Sequence, residues 1–102
     1  MQVKKAEMIQ NGLLTLKTQL GKCLLQWRNI EEEREFTKLN DEVSEINQNI
    51  EDEKRNFMKK IKKSEVEETD IQNFDKFVNN QGKNATEAQQ KVIKYMKKLG
   101  VR

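Results

Sequence analysis

The sequence predicts an all-α protein, with long helices forming an elongated coiled coil and a kink or turn near 31–35 and 80–84. Three observations carry this. Apolar residues recur at alternating steps of three and four along most of the chain, the spacing that puts them on one helical face. The sequence contains no proline, so nothing in it forbids long uninterrupted helix. Only 34% of residues are hydrophobic and 36% are charged, against averages of about 45–50% and about 25%. That supply looks too thin for a self-sufficient globular core, and residues 1–102 are expected to act as a single helical coiled-coil segment.

The first run is Ile9, Leu13, Leu16, Leu20, Cys23, Trp27 and Ile30, at steps of 4, 3, 4, 3, 4 and 3. It is an unbroken heptad seam. The second is Phe36, Leu39, Val43, Ile46 and Ile50, with Phe57 one heptad further on and Glu53 interrupting between them. From Ile30 to Phe36 the step is six residues, so the register slips at the segment EEERE, where a kink or turn is expected. The third is Ile71, Phe74, Val78, Gln81, Ala85, Ala88, Val92, Tyr95 and Leu99. Its phase passes straight through Gly82, which favours continuous helix.

Local chemistry around Gly82 points the other way. NNQGKN is poor in helix formers, Gly82 could follow a helix end, and Asn84 with Glu87, or Thr86 with Gln89, fits a capping box. The acidic stretch before Gly82 would also fold back well on the basic tail. A reversal in the middle of the chain is less attractive, because its two end blocks are both positive. The phase argument outweighs these, and the segment is read as helix. As a single helix the chain would reach about 150 Å and would need a partner to cover its seam.

Charge comes in blocks. Residues 1–30 hold five basic and one acidic residue, 31–53 ten acidic and two basic, and 54–63 only basic charges. Residues 64–87 return to six acidic against two basic, and 88–102 have five basic and none acidic. Such blocks fix register and orientation between rods. No apolar run approaches the ~20 residues that span a bilayer, and the N-terminal segment lacks a signal peptide's apolar core. Membrane partners are therefore not expected. A lone Cys23 makes a reducing compartment the default.

No catalytic, cofactor or metal constellation is expected. Histidine is absent, as are a phosphate-binding glycine loop and a cysteine pair. The carboxylates of EEERE and EDE read as solvated helix faces. Candidate partner-binding residues are the aromatics and their neighbours: Trp27, Phe36, Phe57, Phe74, Phe77 and Val78. Trp27 is bulky for a simple seam and suits an anchor. Phe74 and Phe77 share a face with Val78 and form the densest aromatic spot in a thin seam. The charged surface is Lys54, Arg55, Lys59, Lys60, Lys62 and Lys63, which could meet an acidic surface. Its acidic flanks make nucleic acid the weaker version of that idea. Asn84-Ala85-Thr86 matches a glycosylation acceptor but reads better as helix capping.

The segment FMKKIKKSEVEETDIQNFDKFVNNQGKNATEA, residues 57–88, resembles a family of ciliary coiled-coil proteins. They share a domain of unknown function and include the modifier-of-inner-arms subunits of motile axonemes. The matching residues are Phe74, Asp75, Lys76, Phe77 and Val78, followed by Asn80, Lys83 and Ala85. The resemblance implies a non-enzymatic scaffold, cytoplasmic and cytoskeletal, located in the ciliary axoneme. It would pair with another coiled-coil protein as a hetero-oligomer and tether inner dynein arms to microtubules. Two rival expectations stand beside it: a small compact helical bundle acting as an adaptor or regulator, and a nucleic-acid binder using the basic run 54–63.

Overall fold

The computed structural model describes residues 2–101 and contains three helices: α1 (Gln2–Lys22), α2 (Ile30–Lys62) and α3 (Glu68–Leu99). They form one bundle measuring 53 × 18 × 17 Å. Its length is that of α2 alone, since 33 residues at 1.5 Å each make about 50 Å. Cross-helix contacts set the directions. Lys60 meets Asp70, Glu42 meets Lys91 and Glu35 meets Lys98, so α2 and α3 run antiparallel. Lys5 meets Asn79 and Ile9 faces Gly82, so α1 runs parallel to α3.

The expectation that the chain lacks material for its own core is corrected here. A helix in a bundle needs only one apolar stripe, and the three heptad runs supply one each. α1 contributes Leu13, Leu16, Leu20 and Cys23, α2 contributes Leu39, Val43, Ile46 and Ile50, and α3 contributes Val78, Ala88, Val92 and Tyr95, all buried. Fully burying one such aliphatic side chain is worth about 1.5–3 kcal/mol. The slender bundle therefore closes on itself without a partner's seam.

The chain does reverse, at 23–29 and 63–67 rather than at 31–35 and 80–84. At the first reversal Asn29 caps α2, its side chain accepting the Glu32 amide at 2.9 Å. At the second, Ser64 takes a left-handed φ of 56°. The Glu65 amide then donates to the Lys60 carbonyl and the Ser64 amide to the Ile61 carbonyl, closing the last turn as a Schellman motif. A capping contact follows at once, with the Glu67 amide donating to Asp70 Oδ2 at 3.0 Å. The glycine that ends a helix is Gly100, at φ 74°. The capping candidates at 84–89 lie inside α3, where the Thr86 hydroxyl donates back to the Gly82 carbonyl.

Gly82 thus sits mid-helix with no conformational need to be glycine. A Cβ there would meet Ile9 Cδ1 at 3.5 Å, an ordinary contact. Gly82→Ala is expected to stabilise the fold by about 0.5–1 kcal/mol, measured as a shift of the urea midpoint at constant slope. A lowered midpoint would show that the glycine is needed as a break.

Candidate functional site

The start of α2 is the most densely bonded point. Glu32 is buried although charged. Its Oε1 accepts the Arg28 backbone amide at 2.8 Å and Arg28 Nε at 3.3 Å, while Oε2 accepts Arg28 Nη2 at 2.9 Å. The same Nη2 donates to the Lys98 carbonyl at the end of α3. These bonds, the Arg28 guanidinium foremost, hold the Glu32 carboxyl below the usual carboxylate range. The Tyr95 hydroxyl donates to the Glu32 carbonyl at 2.7 Å. Burial, reinforced by the Cys23, Glu35 and Glu32 groups, pushes the phenol up to about 12. The cluster joins the first reversal, α2 and α3, and every polar atom named in it is occupied within the fold.

The residues singled out in the sequence as partner anchors turn mostly inward. Phe57 and Phe74 stack on one another, centroids 4.3 Å apart and planes 4° apart, both buried. Val78 is fully buried, and Phe77 is half-buried against the same core. Trp27 and Phe36 are partly exposed and pack together at 5.1 Å, covering the end of the bundle beyond α1. Most heptad positions find their contacts in this chain's own helices, while Ile30 and Ile71 stay exposed.

The basic run is also partly engaged. Lys60 pairs with Asp70 at 2.9 Å, Lys54 and Arg55 reach Glu51, and Lys54 also donates to Gln10. Lys59, Lys62 and Lys63 are exposed at the C-terminus of α2, where positive charge complements the helix dipole. No helix among the described residues is long and apolar enough to cross a membrane.

A different surface stands out once the helices are packed. The groove between α1 and α3, about 320 Å³, is lined by Ile9, Gly12, Thr15, Leu16 and Gln19 on one side and by Gly82, Ala85, Thr86 and Gln89 on the other. The lining is uncharged in a chain that is 36% charged. Thr15 and Thr86 donate their hydroxyls to the Asn11 and Gly82 carbonyls of their own helices, so methyl groups are what they have left to offer. Gln19 Oε1 is buried and accepts no hydrogen bond among the described residues. Across the α2–α3 seam, by contrast, three salt bridges close the surface. Sequence reasoning missed this groove, although residues 8–21, whose one charge is Lys17, carried a signal of it.

Compared with known proteins, the chain matches no family model, no curated relative and no solved structure.

Two outcomes test the inward roles. Phe74→Ala is expected to cost about 3–5 kcal/mol of stability, read by denaturant melting; a neutral result would restore Phe74 as a free anchor. Because the folded phenol titrates above its unfolded value of 10.0, Tyr95 stabilises the fold fully below pH 10, and that contribution is lost as pH climbs towards 12. The chain has one tyrosine, so tyrosinate absorbance should show a midpoint of about 12 in the native state and near 10 in denaturant. An ordinary native midpoint would contradict the buried bond to Glu32.

Proposed function

We propose that this protein is a compact helical-bundle adaptor that works by binding, with the α1–α3 groove as its docking surface for a helix of a partner protein. The observation that carries this is the uncharged lining between two parallel helices, with the small residues Gly12, Thr15, Gly82, Ala85 and Thr86 along it. Small residues let a third backbone approach closely, and a ridge of apolar side chains from a docked helix fits between two such rows. Desolvating methyl groups and glycine costs far less than stripping water from the ionic surfaces elsewhere on the bundle. An axonemal scaffold that lends its seam to a coiled-coil partner is a different mechanism. The burial of Phe74 and Val78 in this chain's own core supports the adaptor reading over one in which those two residues are the partner anchors.

A photo-crosslinking side chain at Thr15 or Thr86 is expected to capture a partner in extracts of the native cells, and one at Asp41 on the outer face of α2 is not. Gly12→Glu should abolish capture while leaving the helical circular dichroism unchanged, since a Cβ at Gly12 meets nothing within 4 Å. Equal capture from Asp41, or capture indifferent to Gly12→Glu, would sink the assignment.

A further inference from the structure

The first reversal is made from residues that suit a helix. The segment 22–28, KCLLQWR, contains neither glycine nor proline. Leu25 nevertheless takes a φ of 64°, where the Cβ of an L-residue crowds the following carbonyl. Among the described residues, the other left-handed positions are held by Ser64 and Gly100, which are small. Leu25 is also 79% exposed and Leu24 51%. Meanwhile the heptad phase of Ile9, Leu13, Leu16, Leu20, Cys23 and Trp27 runs through the turn without a break. The sequence there encodes more helix, and the fold bends it.

α1 is also the helix with the lightest polar attachment. Its side chains reach the rest of the bundle through Lys5 to Asn79, Gln10 to Glu51 and Lys54 to Gln10. Among the described residues, none of the ion pairs involves α1, whereas three join α2 to α3. The Asn29 cap and the Arg28–Glu32 bonds lie beyond Leu24–Gln26, so the turn can open without breaking them.

We infer that a second copy of this chain is a partner: the turn at Leu24–Gln26 straightens into helix, and α1 of each copy docks in the α2–α3 groove of the other. The swapped contact repeats the one α1 makes within a single chain, through Leu13, Leu16 and Leu20, so closed and exchanged forms differ chiefly at the hinge. Relief of the left-handed Leu25 favours exchange. The higher effective concentration of a tethered α1 favours the closed monomer, so the dimer is expected at high protein concentration.

The test is light scattering on chain refolded from denaturant at micromolar and at millimolar concentration. A dimer fraction that grows with concentration is expected, and Leu25→Gly, which suits the left-handed turn, should lower the association constant about tenfold or more. In a Cys23→Ala, Gln10→Cys, Glu51→Cys variant, a short bis-maleimide should link two chains in the dimer fraction and stay within one chain in the monomer fraction. A chain that remains monomeric after millimolar refolding, a dimer unaffected by Leu25→Gly, or dimers linked only within chains would overturn the inference.

Discussion

α2 and α3 share one polarity, and their pairing constrains everything else. Each begins acidic and ends basic: α2 runs from Glu31, Glu32 and Glu33 to Lys59, Lys60 and Lys62, and α3 from Glu68 and Asp70 to Lys97 and Lys98. Each helix thereby suits its own dipole. Side by side in parallel, like charges would face each other. Antiparallel and nearly in register, every block meets its opposite, as Lys60–Asp70, Glu42–Lys91 and Glu35–Lys98 show. Exposed ion pairs of this kind add little stability. Their effect is on choice of direction and register, while the shared apolar seam supplies the cohesion.

α1 is then accommodated by that hairpin rather than helping to define it. At 21 residues it is much shorter than its neighbours, so it leaves one end of the bundle open. The descending segment fills that end: Trp27 packs on Phe36, and Arg28 spans from Glu32 to the Lys98 carbonyl. Glu32 could be buried only because Arg28 and the backbone satisfy both carboxylate oxygens at once, since a lone buried carboxylate would be strongly disfavoured. Tyr95 adds the tie to α3 from inside the core. The cluster therefore completes a bundle whose third helix stops early.

The helices were legible in the sequence because heptad phase is a property of one face and survives any choice of partner. Residues 71–99 show this best: the phase through Gly82 correctly indicated unbroken helix, against the local propensity of NNQGKN. The reversals were harder, because neither 23–29 nor 63–67 contains glycine or proline. Leu25 and Ser64 adopt left-handed backbone that composition does not announce. The Asn29–Glu32 and Glu67–Asp70 pairs were present as capping signals, but equally good pairs at 84–89 mark nothing. Local capping chemistry is permissive, and long-range packing decides which copies of it are used. Alternating charge blocks also read equally well as instructions for a partner. Only the antiparallel hairpin shows them satisfied in one chain, with a mid-chain reversal whose positive block 54–63 turns towards the acidic start of α3.

The same distinction separates the aromatic residues from the groove proposed as a docking surface. Large apolar side chains in a charged chain invite reading as anchors, yet a bundle with so little apolar material uses them first for its own interior, and Phe57 stacked on Phe74 is the result. What remains outside is defined by what it lacks. Gly12 and Thr15 on α1, and Gly82 and Thr86 on α3, are unremarkable outer positions when each helix is read alone. They come to line one uncharged groove only when α1 lies parallel to α3 at the offset fixed by Lys5 with Asn79 and Ile9 with Gly82. A surface made by juxtaposing two weak stripes, roughly seventy residues apart in the chain, leaves no motif in either. It follows from the packing of α1, which the apolar seam of that helix in turn determines.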